Sequence, residues 1–298
     1  MVPSKESPEA DPLIYPQDED DVNKDGLEIP QKKSEYILVV LWAALLCLTV
    51  GIACAVAFSV IVRHNPKANI ACANPPYRQE WRTLSEEQKE DYLTAVLCLK
   101  ETPSRLGMNQ SLWDDFSWVH ALIGGYSHNA AAFLTWHRYY IHVYEKALQD
   151  QCRYGGYPTY WNWALDWEDV TKSPILDDTK GFGGNGNASE KEPFLDGYCL
   201  TEGPFSRLEM SYIGADYKPH CLSRGFPSPE KLARLSQHLR PEALEKVLSL
   251  PDYESFNLGL EKGPHLAIPK IIRGDFQFFT APNGLCPSLG LMIGVAED

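Results

Sequence analysis

Between Tyr36 and Val62 the chain runs for 27 residues without a charged side chain, in the sequence YILVVLWAALLCLTVGIACAVAFSVIV. At ~1.5 Å per residue, a helix of this length crosses the ~30 Å hydrocarbon core of a bilayer with room for tilt. A cleaved signal peptide has a shorter apolar core nearer the N-terminus, and so long an uncharged stretch is rare inside a soluble domain. The segment therefore predicts a single transmembrane helix over residues 36–62.

Residues 1–35, before this helix, form an acidic tail that contains five prolines. Ten aspartates and glutamates against four lysines give the tail −6 of the chain's formal net charge of −13, and residues 36–298 carry the other −7. The tail shows no apolar periodicity, so we expect it to be disordered, because it cannot bury enough surface to offset the entropy lost on ordering. A chain of this negative charge is not expected to bind nucleic acid.

Basic residues flank the helix almost equally on both sides, so their distribution does not indicate its orientation. The orientation is predicted instead from features of the chain after the helix. N-glycosylation sequons begin at Asn109 and Asn187. An even set of cysteines, which suits an oxidising compartment, also follows the helix: Cys72, Cys98, Cys152, Cys199, Cys221 and Cys286. We therefore predict a single-pass membrane protein with a cytosolic tail, a stalk over residues 63–71, and a lumenal or extracellular domain over residues 72–298.

Amphipathic patterns predict helices in the part of the chain after the stalk. The first helix opens with a capping-box spacing between Ser85 and Gln88 and ends before Pro103. A second helix is predicted from near Trp136 to about Cys152.

Residues 228–250 predict two further short helices, separated at Pro241. Residues 155–227 show no sustained period and predict a long ordered loop. Its GFGGNGN stretch lacks the preceding strand, the following helix and the lysine of a phosphate-binding loop.

Three histidines lie within 18 residues of one another: His120, His128 and His137. A single histidine on an apolar face is usually a hydrogen-bonded core residue. Three together, flanked by tryptophans, indicate a metal site, and an all-imidazole set suits copper, zinc, nickel or iron. No acidic residue lies between His120 and His137 to complete a two-histidine, one-carboxylate site locally. The HExxH motif is also missing, so the sequence does not support a zinc protease.

The stretch DDFSWVHALIGGYSHNAAAFLTWHRYYIHVYEKALQDQCRYGGYPTYWNWALDW, residues 114–167, resembles the first copper half-site of tyrosinases, above all of the shorter fungal tyrosinase-like proteins. Their pattern is a histidine on a helix, a second in the loop after it, and FLxWHRYxxxxYExAL nine residues further on, followed by YWNW. The resemblance extends through CANPPYRQEWRTLSEEQ, GFGGNG and EKGPHLAIPKIIRGDFQFFTAPN, and so covers residues 72–283.

This resemblance implies a mainly α fold, in which a tyrosinase-like four-helix bundle with long loops follows the single transmembrane helix. Such proteins hold two coppers, CuA and CuB, each with three histidines, and oxidise phenols or catechols to o-quinones with dioxygen. It implies His120, His128 and His137 as CuA ligands. His142, about 140° further round the helix from His137, is not expected to be a ligand. The resemblance also implies that aromatic packing around the histidines comes from Trp136, Trp161 and Trp163.

The second half-site departs from the family pattern, which brings two histidines at i and i+4 on one helix and a third from a later PNDPxFxxHH segment. His265 is kept, but the i+4 position is Pro269. Proline has no ligand atom and costs ~3 kcal/mol or more inside a helix, so we expect both ligand set and helix to be disturbed. No histidine follows His265, so residues 1–298 supply four of the six expected ligands, and the spacing of His220 and His238 does not suggest substitutes.

After Asn283 the expected DPxFxxHH is replaced by GLCPSLGLMIGVAED. Read-through of an intron at this point is a hypothesis that would explain the change. A mature transcript without downstream DPxFxxHH coding sequence would contradict it. Pro269 precedes the change and is not explained by it.

Two further departures concern mechanism. Many fungal members have a cysteine two residues before the second CuA histidine, which forms a thioether to its ring, whereas this chain has Tyr126. Members that hydroxylate monophenols often have asparagine directly after the first CuB histidine, whereas this chain has Leu266. The resemblance therefore implies no thioether, and diphenol oxidation rather than monophenol hydroxylation.

Three interpretations follow. The leading one is a membrane-anchored tyrosinase-like copper oxidoreductase that acts on a phenolic or catecholic small molecule with dioxygen and is impaired at CuB in the chain as written. The second is a catalytically dead ectodomain that keeps the scaffold and at most one copper and serves as a binding or accessory protein. The third is a membrane-anchored structural domain without metal. On this interpretation the three histidines that match the CuA pattern have no metal-binding role.

Overall fold

The computed structural model describes residues 32–64 and 76–284. The expectations for most of the acidic tail, for the stalk from residue 65, for Cys72, and for the segment from residue 285 with Cys286 fall outside the described residues. Contacts divide the chain into two compact units, Met1–Ala73 and Asn74–Asp298.

The first unit contains helix α1, Lys32–His64, which carries the uncharged segment. Within α1, Tyr36–Val60 is long and apolar enough to cross a membrane, and all of its side chains are exposed. A helix of this length and composition is typical of a membrane span or of a signal sequence.

The second unit is mainly helical, as predicted, and is built on three long helices: α2 (Glu86–Glu101), α3 (Leu112–Ser127) and α4 (Phe133–Cys152). The predicted capping box of α2 is present, because Ser85 Oγ accepts the Gln88 N–H and the Gln88 side chain accepts the Ser85 N–H. α4 begins at Phe133, three residues before the predicted start. Phe133 is completely buried and extends the apolar face of this helix into the core.

The other α-helices of the described residues are α5 (Pro229–Ser236), α6 (Pro241–Leu248), α7 (Tyr253–Leu260) and α8 (Leu266–Ile272). The predicted division at Pro241 is confirmed, since this proline is the first residue of α6. α7 and α8 are joined by a π-helical turn, Glu261–His265. The joined α7–α8 helix is the fourth helix of the predicted four-helix bundle and contacts α4, since the His265 ring lies 5.0 Å from that of Phe133.

Pro269 lies inside α8 without breaking it, contrary to the expected disturbance of the helix. A proline ring crowds the carbonyl four residues earlier and donates no hydrogen bond to it. Here that carbonyl belongs to His265, the last residue of the π-helical turn, where the regular ladder is already interrupted.

The segment over residues 155–227 contains two small antiparallel ribbons, which corrects its prediction as loop alone. β1 (Tyr198–Cys199) pairs with β4 (Ser223–Arg224), and β2 (Glu209–Ile213) pairs with β3 (Asp216–Cys221). These strands are too short to show a sustained alternation in the sequence. Gly214 begins the β2–β3 turn with φ 64°, a conformation that favours glycine.

Two disulfides connect elements within the described part of the second unit. Cys98–Cys152 joins α2 to the last residue of α4, and Cys199–Cys221 joins β1 to the end of β3. The presence of disulfides among the cysteines that follow α1 agrees with the predicted oxidising compartment.

Candidate metal centre

The three predicted CuA histidines come from two adjacent helices and the loop between them. His120 lies in α3, His128 is the C-cap residue of α3, and His137 lies in the second turn of α4. The loop over residues 128–132 reverses the chain between the helices. It contains Asn129 at φ 52°, a left-handed conformation that asparagine tolerates.

Each of these histidines uses its Nδ1 atom to donate a hydrogen bond to a backbone carbonyl. His120 Nδ1 is 2.5 Å from the Phe279 oxygen, and His137 Nδ1 is 2.7 Å from the Phe133 oxygen. His128 Nδ1 is 3.0 Å from the Gly124 oxygen, which also accepts the His128 backbone N–H. A carbonyl only accepts, so these contacts place the ring proton on Nδ1 and leave Nε2 with a lone pair.

The ligand nitrogens of the three histidines lie close together. His120 Nε2 and His137 Nε2 are 3.3 Å apart, and the ligand atoms of all three histidines lie within 4.8 Å of one another. Two nitrogens bound at ~2.0 Å to one tetrahedral ion lie roughly 3.3 Å apart. Three neutral imidazoles arranged in this way fit one first-row transition-metal ion, and copper accepts such a donor set.

Burial keeps these rings neutral. It lowers the pKa of His120 from 6.5 to about 4 and, with the neighbouring His120 as the next cause, lowers the pKa of His137 to about 2. The pKa of His128 is also lowered, chiefly by burial. All three rings therefore present uncharged donors at neutral pH.

His265, the predicted CuB ligand, approaches the same cluster from the α7–α8 helix. Its ring centroid is 5.6 Å from that of His128 and 6.4 Å from that of His137. Burial, with His128 as the next cause, lowers its pKa to about 3. Its Nδ1 is buried and makes no hydrogen bond of ordinary geometry, although the nearby Glu261 carbonyl acts to raise the pKa against these causes. The structure thus brings all four predicted ligand residues together.

The other histidines of the second unit are placed differently. His142 and His238 are exposed. Both nitrogens of His220 face other oxygens, Nδ1 at 2.7 Å from the Lys218 carbonyl and Nε2 at 2.8 Å from Asp275 Oδ1. None of these rings contacts the four-histidine cluster among the residues that the structure describes.

The aromatic surroundings of the cluster differ in part from the expectation. Trp136 packs against His120 and His137, with ring centroids 5.7 and 4.8 Å away, as expected. Trp161 and Trp163 are buried in the core but make no ring contact with the described histidines. Trp161 Nε1 instead donates to Asp166.

Phe133 and Phe279 supply the packing that the sequence did not indicate. The Phe133 ring lies 4.7 Å from that of His137, and the Phe279 ring lies 5.0 Å from that of His128. Phe279 remains 43% exposed, so part of its ring reaches solvent beside the cluster. It also packs on Gly124, where any Cβ would lie 2.6 Å from its ring carbons, so this close approach requires glycine.

Residues 274–284, which carry Phe279, are anchored through the fully buried Asp275. Its Oδ2 accepts from the backbone and hydroxyl of Ser223 at 2.8 and 2.9 Å. Its Oδ1 accepts from His220 and, at 3.2 Å, from the Asn283 amide. These contacts fix the segment whose carbonyl orients His120.

His220 gives this anchor a pH dependence. Burial lowers its pKa, but the hydrogen bond and charge of Asp275 raise it more, so the net pKa lies above 6.5. Because this pKa is raised on folding, the contact between protonated His220 and Asp275 stabilises the fold fully below about pH 6.5. This stabilisation is lost as the pH rises through the folded-state pKa of His220. We expect the free energy of unfolding to fall across that interval by up to ~1.4 kcal/mol per unit of pKa elevation.

Urea unfolding between pH 6 and 9 tests this prediction. His220→Gln should lack this component of the pH dependence, and His238→Gln, at an exposed site, should retain it. Equal slopes for the wild type and His220→Gln would contradict the prediction.

The sequence of the chain is similar to those of known proteins. Residues 110–284 match the family model described as the common central domain of tyrosinase. The chain is 42% identical over 224 residues to the tyrosinase-like protein phomQ1 of Diaporthe leptostromiformis, covering 71% of this chain and 58% of that protein. It is 37% identical over 213 residues to tyrosinase ustQ of Aspergillus flavus, covering 71% and 60%. The chain therefore spans about three fifths of the length of these relatives.

A solved structure gives the same relationship. The fold is similar to that of a variant polyphenol oxidase from Thermothelomyces thermophila, with a TM-score of 0.64 and 26% identity over 74% of this chain and 68% of that chain. The family match and the sequence relatives show that this chain belongs to the tyrosinase family.

Proposed function

We propose that this protein is a membrane-anchored, copper-binding oxidoreductase of the tyrosinase type, whose chemistry is the oxidation of phenols or catechols to o-quinones by dioxygen. The observation that carries the proposal is the convergence of His120, His128 and His137, whose ligand nitrogens lie within 4.8 Å of one another, with each Nδ1 proton donated to a carbonyl. Copper held there would supply redox chemistry and a Lewis acid for a phenolic oxygen.

The chain's own residues favour a planar aromatic substrate. The exposed part of Phe279, beside His128, offers a ring on which a phenol can stack. Leu266, directly after His265, has no polar atom that could help remove a phenolic proton, which favours catechols over monophenols. In the overall reaction, two catechols each lose two electrons and two protons to one dioxygen, giving two o-quinones and two waters.

We further propose that residues 1–298 hold one copper tightly and do not by themselves carry out chemistry that needs two. A second ion would have His265 but no imidazole from position 269. A graft tests the assigned chemistry: Pro269→His, with a tyrosinase segment that begins DPxFxxHH replacing the residues after Asn283. We expect two coppers and oxygen uptake with a simple catechol. Two coppers without catechol oxidation would contradict the assignment.

The second candidate is a binding or accessory protein with a single copper. The observation that favours it is the intact α8 helix through Pro269, which preserves the scaffold where an imidazole is replaced. This candidate predicts that the grafted protein folds but gains no oxidase activity.

We propose that α1 anchors the protein, with the second unit in the lumen or outside the cell. Support comes from its apolar stretch, the two disulfides, and the exposed Asn109 side chain at the first sequon. After expression in a fungal host, the protein should stay in the pellet on alkaline carbonate extraction. Asn109→Gln should remove one glycan's mass on electrophoresis. Release into the supernatant would contradict the anchor, and an unchanged mass would contradict glycosylation at Asn109.

A further inference from the structure

One face of the α7–α8 helix carries four polar or aromatic side chains at four-residue intervals: Tyr253, Asn257, Glu261 and His265. Residues spaced by four lie above one another on a helix, so these side chains form a single stripe. His265 ends the stripe beside the histidine cluster. The other three side chains all contact the backbone of the loop over residues 128–132.

The three contacts fall on consecutive residues of that loop. The Asn129 N–H donates to Glu261 Oε1 at 2.7 Å. The Ala130 carbonyl accepts from the Asn257 amide at 3.1 Å, and the Ala131 carbonyl accepts from the Tyr253 hydroxyl at 2.6 Å. Three backbone groups of the loop are thus hydrogen-bonded by a helix more than 120 residues away in the sequence.

Burial makes two of these contacts strong. Asn257 and Glu261 are each 2% exposed, so water does not compete for their hydrogen bonds. A hydrogen bond to a carboxylate is stronger than one between neutral groups. Asn129, whose backbone N–H donates to the Glu261 carboxylate, directly follows His128.

We propose that Asn257 and Glu261, assisted by Tyr253, are positioning residues that hold the His128 loop in ligating geometry before the metal arrives. The inference rests on the proposed role of the histidine triad as a copper site. Without these contacts the loop, with Asn129 in a left-handed conformation, has fewer constraints on where it places the His128 ring. Outer partners of this kind typically change metal affinity 10- to 100-fold when they are removed.

Two substitutions of Glu261 test the proposal. Glu261→Gln keeps an oxygen that can accept the Asn129 N–H, whereas Glu261→Ala removes it. We expect Glu261→Ala and Asn257→Ala to raise the copper dissociation constant by about 10- to 100-fold and to alter the Cu(II) electron paramagnetic resonance spectrum. Glu261→Gln should restore both properties to near the wild-type values. Lys262→Ala, an exposed neighbour in the same turn, is the matched control and should change neither.

Amide hydrogen exchange in the copper-free protein provides a readout that does not depend on copper. The Asn129 amide should be protected in the wild type and in Glu261→Gln, and should exchange at least about tenfold faster in Glu261→Ala. Equal exchange in the wild type and Glu261→Ala, or copper affinity unchanged in both alanine variants, would overturn the proposal. If the wild type binds no copper, the proposed function fails, while the Asn129 exchange still decides whether the loop is held as proposed.

Discussion

Replacing His137 by alanine is expected to abolish tight copper binding, reducing the bound copper from one ion per chain to none after dialysis. His137 is completely buried, its Nε2 lies 3.3 Å from that of His120, and its Nδ1 is fixed by the Phe133 carbonyl. Loss of a ligand should weaken binding by more than the roughly 10- to 100-fold typical of outer partners. Equilibrium dialysis with copper analysis measures the change.

The matched control is His142→Ala on the same helix, because His142 is exposed and outside the cluster. It should keep the wild-type copper content. His137→Ala is also expected to destabilise the copper-free protein by about 1–3 kcal/mol, as is common for buried substitutions. His137→Asn keeps a polar side chain there and checks that copper loss does not follow from unfolding. A folded His137→Asn protein that retains one tightly bound copper would contradict the assignment.

Removing the Cys98–Cys152 disulfide is expected to cause the largest loss of stability. This bond joins α2 to the end of α4 across a sequence separation of 54. The loop-entropy relation gives about 4 kcal/mol for a loop of that length, within the range of roughly 2–5 kcal/mol for native disulfides. α4 also carries His137, so loss of the bond should loosen the metal centre as well.

The double variant Cys98→Ser, Cys152→Ser tests this expectation by urea unfolding of the copper-free protein. The variant Cys199→Ser, Cys221→Ser is a useful comparison, because its shorter separation of 22 gives about 3 kcal/mol. Thiol titration should confirm that the two bonds form independently. A loss below about 1 kcal/mol for the first variant would show that this bond does not constrain the bundle.

Local sequence signals predicted much of the fold. The Ser85 capping box set the start of α2, and Pro241 set the start of α6. The His120, His128 and His137 pattern indicated one cluster, and the structure brings these residues together. These features depend on residues close in sequence, whose spacing is directly visible.

Other features depend on contacts that spacing does not encode. The Phe279 carbonyl reaches His120 across 159 residues, and Glu261 reaches Asn129 across 132. A backbone carbonyl leaves no signature in the side-chain sequence, so the partner of His120 could not be identified in advance. The expected disturbance of α8 at Pro269 was wrong, because the π-helical turn that ends at His265 lets the helix continue.

The copper content of a purified protein of residues 1–298 tests the central claim most directly. The protein should be extracted in detergent, saturated with copper, dialysed to remove weakly bound ions, and measured for copper per chain. The four clustered histidines, with no imidazole at position 269, predict one copper per chain. Two tightly bound coppers would contradict the single-copper account, and none would contradict the metal centre itself.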